Sequence, residues 1–249
     1  MNKADAAMRI AKRIAKSGLC SRRDAEKLIL DGCVSVNNVI IGSPALNVSL
    51  KDVIKVNGNV IADVIQPKVI LAYKKDGELV TTKDEQNRPT IFDRLKTIGA
   101  PNHIMSVGQL DYHTEGLLLL CNDGDYTRFL EHPSNQIPRR YRVRVHGNVN
   151  EKILNYIERG TIVDGYKYDN VKIRIDSQPS SISWLTMQIY EGKYHEIKKI
   201  LNYYDIDVLR LIRTDFGAYT LSNMKSGEFR QVKTIPLQFV HNIRSWSST

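Results

Sequence analysis

The chain has 249 residues and carries 36 Lys and Arg against 27 Asp and Glu, a formal net charge of +9. That length gives one large domain or two unequal ones at roughly 100–200 residues per domain. With 42% apolar and 25% charged residues, wholesale disorder is excluded. The longest apolar runs, Val69–Tyr73 and Leu117–Cys121, fall far short of the ~20 residues that a membrane span needs. No apolar core follows Met1-Asn2-Lys3, so no secretory leader is expected. Cys20, Cys33 and Cys121 are too widely spaced for a disulfide framework or a Cys-x-x-Cys zinc knuckle, which makes a reducing cytoplasm the default. A basic chain in that compartment favours a polyanionic partner.

In chain order, the first 66 residues hold 10 Lys and Arg against 6 Asp and Glu and are the more basic per residue. Met8–Lys16 predicts a helix with Ile10, Ala11, Ile14 and Ala15 on one stripe. Arg9, Lys12, Arg13 and Lys16 take the rest of its circumference. Ser17-Gly18 stops it, and Ser21 caps a second helix to about Leu30, with Asp24 in capping-box spacing. Arg22 and Arg23 in that first turn oppose the helix dipole. They are either solvated surface arginines or, with the exposed backbone N–H groups, a phosphate cradle. Val34–Val36 and Val39–Ile41 read as a hairpin turned at Asn37-Asn38, and Val53–Ile61 as a further alternating segment. Residues 62–68 read as a linker punctuated by Pro67.

Beyond the linker the pattern is α+β. Strands are expected at Val69–Tyr73, Leu117–Cys121, Tyr141–Val145, Val171–Ile175, Trp184–Ile189 and Val208–Ile212. Helices are expected at Thr90–Lys96, Tyr126–Glu131, Glu151–Arg159 and His195–Tyr204. There is no regular strand–helix alternation with Gly-rich turns, which disfavours a doubly wound nucleotide-binding fold. Phosphate loops, His-Glu-x-x-His and internal repeats are also lacking.

Three polar clusters carry candidate chemistry. In Gly108–Gly116, Asp111, His113 and Glu115 would share a face if the segment were extended, as in a metal triad. The flanking glycines favour a loop, which either turns on Asp111 or presents it as a catalytic carboxylate ahead of a buried strand. In Arg139–Arg144, alternation puts Tyr141 and Val143 on one face and Arg140, Arg142 and Arg144 on the other. Tyr141 is then core or a base-stacking platform. In Tyr190–Leu201, Lys198 and Lys199 sit among Ile197, Ile200 and Leu201. Either lysine can snorkel, or one can pair with a buried carboxylate and offset its desolvation.

Gly108-Gln-Leu-Asp-Tyr-His-Thr-Glu-Gly-Leu-Leu118 resembles the G-R-L-D-x-x-[ST]-x-G-L-L motif of the RsuA/RluB group of rRNA pseudouridine synthases. Glu191-Gly-Lys-Tyr-His-Glu-Ile-Lys-Lys199 and Leu209-Arg-Leu-Ile-Arg213 with Gly217 resemble two more of its motifs. Residues Val69–Leu95 and His132-Pro133-Ser134 are most similar to the large-subunit, RluB-type branch. Ser21-Arg-Arg and Gly32-x-Val-x-Val look like the S4 RNA-binding module that these enzymes carry. The resemblance implies an S4-like domain over residues 8–66 and a pseudouridine synthase domain over 67–240. The latter would be built on a mixed, largely antiparallel sheet flanked by helices.

It further implies isomerisation of one rRNA uridine, most simply in 23S rRNA, without cofactor or metal; nothing in the sequence demands more than a monomer. By the same likeness Asp111 is the catalytic carboxylate, attacking C1′ or taking a sugar proton. Tyr141 stacks on the flipped uracil, Lys198 pairs with Asp111, and Gln109, Leu110 and Leu211 line the base pocket. Arg9, Lys12, Arg13, Arg22, Arg23, Arg139 and Arg140 are the expected RNA contacts. Gln109 stands where the group has Arg, which keeps hydrogen bonding but loses a planar cation; weaker or slower RNA engagement with the chemistry intact is the expectation. Glu196 stands where Gln is commoner. Two alternatives remain at this level: a retired RNA-binding or ribosome-assembly factor, distinguished by lack of turnover, and a metal hydrolase using Asp111, His113 and Glu115, distinguished by loss of activity with chelator.

Overall fold

The computed structural model of the chain describes residues 7–100, 103–179 and 181–243. The leader reading at residues 1–3 lies outside them. Two compact units divide the chain at Pro67/Lys68. No helix among the described residues is long and apolar enough to cross a membrane.

The N-terminal unit runs β1 (Met8–Arg9), α1 (Ile10–Lys16), α2 (Arg22–Leu30), β2 (Val34–Val36), β3 (Val39–Ile40), β4 (Asn47–Val48), β5 (Ile54–Val56) and β6 (Asn59–Val60). Ser21 caps α2, its Oγ accepting from the Asp24 N–H at 3.1 Å. The helix expected from Met8 begins two residues later, because Met8 and Arg9 pair in register with Val48 and Asn47. Asn37 and Asn38 turn the first hairpin at positive φ, and Asn57-Gly58 turn a second inside the segment read as one alternating run. The four strands lie in the order β3-β2-β5-β6. Ile10, Ala11 and Ile14 of α1 and Ala25 and Ile29 of α2 pack with Val34, Ile54 and Val56 of that sheet into one apolar core.

The second unit runs β7 (Val69–Lys74), α3 (Ile91–Lys96), β8 (Met105–Val107), β9 (Thr114–Cys121), α4 (Gly124–Glu131), β10 (Arg139–His146), α5 (Glu151–Arg159), β11 (Thr161–Val163), β12 (Tyr166–Tyr168), β13 (Lys172–Ser177), β14 (Ile182–Ile189), α6 (Glu196–Tyr203), β15 (Asp207–Phe216), β16 (Tyr219–Thr220) and β17 (Phe229–Val232). Its main sheet has the order β13-β14-β10-β15-β9-β7-β17, antiparallel except for the parallel pair β15–β9. Every residue of β9 is buried, so its apolar run needs no alternation. Leu117, Leu119 and Cys121 pack with Val69, Leu71, Tyr126, Leu130 and Phe216 in the core.

At the β9–β15 crossing, Gly116 opposes Arg213 and sits at φ +101°, where a Cβ would collide with the Arg213 backbone. Only glycine lets the two strands approach that closely. This pairing matters for the site, because Gly116 follows shortly after Asp111.

Candidate active site

Three adjacent strands and one helix assemble a cleft. The loop from Gly108 into β9 supplies Gln109, Leu110, Asp111 and Thr114. From β10 and β15 come Tyr141 and Leu211, and the segment Gly192–Lys198 closes the opposite wall. Parallel pairing sets Leu211 opposite Thr114, while β10, on the other side of β15, sets Tyr141 opposite Arg213. Tyr141 is only 7% exposed, and Leu110 and Leu211 are buried beside it. The wall is therefore apolar and aromatic, with one carboxylate at its edge.

Asp111 is held in a turn in which the Thr114 N–H donates to its carbonyl at 3.0 Å. Glu131 Oε1 accepts from the Gly108 N–H at 2.6 Å and pins the start of the loop. Lys74, at the end of β7 and wholly buried, fixes the far side. Its Nζ donates to the carbonyls of Lys75, Tyr112 and Thr114 at 3.0, 3.1 and 2.8 Å. Burial pulls its pKa down to about 8, against the opposing pull of the surrounding carboxylates, Glu78 first.

From the other wall, two nitrogens at the start of α6 face the carboxylate. His195 Nε2 lies 3.3 Å and Lys198 Nζ 3.8 Å from Asp111 Oδ2. His195 is the N-cap of α6 in the left-handed conformation, φ 55°, which places its ring over the cleft rather than on the helix. Its ring stacks on Tyr194 at 3.8 Å between centroids and 19° between planes. Next in sequence, Glu196 is buried, and its Oε2 accepts from the Lys193 N–H at 3.0 Å. Desolvation pushes its carboxyl up to about 7.

The arginines of the Leu209–Arg213 segment staple β15 to β9. Arg210 clamps Glu115 with two bonds, Nε at 2.6 Å and Nη2 at 2.9 Å. Arg213 is 2% exposed, and its Nε donates to the Leu117 carbonyl at 2.7 Å. Together they fix the strand that follows the Asp111 loop.

Several expected RNA contacts are placed otherwise. Arg13 is 4% exposed and reaches the Ala62 carbonyl at 3.2 Å, because the inner stripe of α1 is wider than its apolar residues alone indicate. Arg139 is buried over the Phe216 ring and donates to the Tyr190 and Glu131 carbonyls. Arg140 is buried too, with Nη2 on Gln188 Oε1 at 3.1 Å. Consecutive residues on both faces are buried at that end of β10, so the alternation that exposes Arg142 and Arg144 fails there. These three arginines are scaffold rather than free phosphate contacts. Arg9, Arg22 and Arg23 remain exposed, and Lys12 is half-buried. Gln109 is exposed at the mouth of the cleft.

The three residues of the hypothetical metal triad diverge. Asp111 meets His195 and Lys198, His113 meets Asp76 at 2.9 Å, and Glu115 meets Arg210. Among the described residues no cluster of three His, Cys, Asp or Glu is placed to hold a metal ion. Sequence reading passed over Lys74, Arg210 and the contact of His195 with Asp111. All three residues lie inside stretches that carry the family resemblance, which was the only signal they left.

A small basic module joined to a unit whose cleft sets Asp111 beside Tyr141, Leu110 and Leu211 fits an RNA-modifying enzyme that works on a single base. Comparison with known proteins makes this specific. The family model described as S4 domain matches residues 8–54, and the one described as RNA pseudouridylate synthase matches residues 68–203. A Rickettsia felis protein named as an uncharacterized RNA pseudouridine synthase is 40% identical over 224 residues, covering 90% of this chain and 96% of its own. A Bacillus subtilis protein named ribosomal large subunit pseudouridine synthase B is 31% identical over 226 residues, covering 90% and 91%. A crystal structure of a pseudouridylate synthase superposes with a TM-score of 0.65 at 24% identity, covering 94% of this chain and 99% of the other, which supports the fold. The chain belongs to the RNA pseudouridylate synthase family, with an N-terminal S4 domain.

Proposed function

We propose that this protein converts a uridine of large-subunit ribosomal RNA to pseudouridine, with Asp111 as the catalytic carboxylate. The observation that carries the reading is the placement of Asp111 at the edge of this cleft. Tyr141 and Leu211 form the wall, and the His195 and Lys198 nitrogens face the carboxylate from the other side. The large-subunit assignment is supported by the name of the Bacillus subtilis relative.

The reaction breaks the N1–C1′ bond and joins C1′ to C5, so the base must leave its stack and turn. Unstacking costs a few kcal/mol, which the protein offsets with its own stacking surface. Tyr141 provides that surface, Leu211 and Leu110 exclude water around the uracil, and Asp111 acts on the sugar as nucleophile or base. Lys198 and His195 hold the carboxylate in place, and the Lys198 ammonium supplies compensating charge for a carboxylate held against apolar walls. The exposed Arg9, Arg22 and Arg23, with Lys12, contribute backbone affinity that falls steeply with salt. The reading carries with it a cytoplasmic monomer acting on rRNA or an assembly particle.

Tritium release from large-subunit rRNA labelled with 5-³H-uridine tests it. Wild type is expected to release tritium and Asp111→Ala to release none. Release by both would move the chemistry to another carboxylate. Release by neither would make the protein an RNA-binding factor that keeps the fold.

A further inference from the structure

Beyond the base pocket, the cleft carries an aromatic side chain that the reaction does not use. Tyr194 lines the same cleft as Asp111 and Tyr141 but is 69% exposed, whereas Tyr141 is almost wholly buried. One face of its ring is covered by the parallel ring of His195, and His195 is in turn anchored on Asp111. A flexible surface tyrosine would swing freely. This one is backed by a ring whose position is set by the N-cap of α6 and by the catalytic carboxylate.

Turning one nucleotide out of a strand also strips a stacking partner from each of its neighbours. A rigid, backed aromatic face at the rim of the pocket is what such a neighbour needs, and stacking of this kind accepts any base. We propose that the exposed face of Tyr194 is a stacking subsite for the unpaired nucleobase next to the target uridine. The order of rings then runs from neighbouring base to Tyr194 to His195, with Asp111 at its inner end.

This inference rests on the cleft being a uridine site, and its test separates the two. The dissociation constant and KM for 5-³H-uridine-labelled large-subunit rRNA are measured for wild type, Tyr194→Phe, Tyr194→Leu and Tyr194→Ala over a range of salt. Ala and Leu are expected to weaken binding and raise KM on the order of tenfold, as for the loss of one base stack. Phe restores both. The slope of affinity against salt stays that of the wild type, since no phosphate contact is removed. If Ala and Leu bind as wild type does, if the loss falls on kcat alone, or if Leu rescues as well as Phe, the subsite is overturned. A wild type that binds but releases no tritium overturns the isomerase reading instead, and the binding constants still decide the subsite.

Discussion

In the N-terminal unit Arg9, Arg22 and Arg23 stand in solvent, whereas in the catalytic unit Arg139, Arg140 and Arg213 are buried on main-chain carbonyls or on Gln188. Both sets belong to one basic chain and contribute equally to its net charge. Arg22 and Arg23 keep their hydration, which is what phosphate neutralisation requires, while Arg9, though exposed, also donates to the Ala45 carbonyl. The second set has given up hydration to satisfy oxygen acceptors around the loop that carries Asp111 and the strands that carry Tyr141 and Leu211. A net charge of +9 therefore overstates the surface available to RNA. Part of it is framework for the site. Arg13 shows that the division is not simply one of domain, since it lies in the N-terminal unit and is buried.

The catalytic unit should accordingly respond to charge changes through stability, and the N-terminal unit through RNA affinity. The largest effect is expected at Glu196. Its carboxyl keeps a proton to about pH 7 in the folded chain and releases it near 4.5 when unfolded, so the stability it contributes below pH 4.5 is lost as pH rises through 7. Glu196→Gln removes that loss. The variant should gain on the order of 3 kcal/mol over wild type at pH 8 and almost nothing at pH 4.5, read by denaturant unfolding at both pH values. A gain independent of pH would mean that Glu196 is not the titrating group.

Next comes the Arg210–Glu115 clamp. Arg210→Ala leaves a largely buried carboxylate unpaired and should cost about 2 kcal/mol. Adding Glu115→Gln to that variant should recover much of the loss, so equal stability of the single and double variants would break the comparison. The smallest effect on stability belongs to the exposed pair. Arg22→Gln with Arg23→Gln should leave unfolding within about 0.5 kcal/mol of wild type while lowering the salt slope of rRNA binding by about 2. Gln109→Arg, at the mouth of the cleft, should act in the opposite sense on affinity. If neither rRNA affinity nor turnover changes in that variant, position 109 does not limit engagement.

Much of the local structure was legible because it is decided by neighbours in sequence. Ser21 and Asp24 make the cap of α2, Asn37-Asn38 the first hairpin, and the unbroken run at Leu117–Cys121 a strand buried on both faces. Each depends on dihedral preference or on periodicity over a few residues. Where the expectation slipped, a distant partner intervened. Met8 and Arg9 became a strand because residues 47 and 48 lie beside them. Alternation mis-assigned Arg140 because Gln188 covers what would have been its solvent face.

The sequence by itself determined that Asp111 sits in a Gly-bounded loop ahead of a buried strand, that Tyr141 faces inward, and that the motifs of an RNA pseudouridylate synthase run in order along the chain. Only the tertiary structure decided what surrounds that carboxylate: the His195 ring, the Lys198 ammonium, and the Lys74 cage behind its loop. The reason is physical. Turns, caps and faces follow from torsional preference and short-range pattern. The burial of a charge and the direction of its hydrogen bonds depend on strands and helices that meet only after the chain has closed on itself.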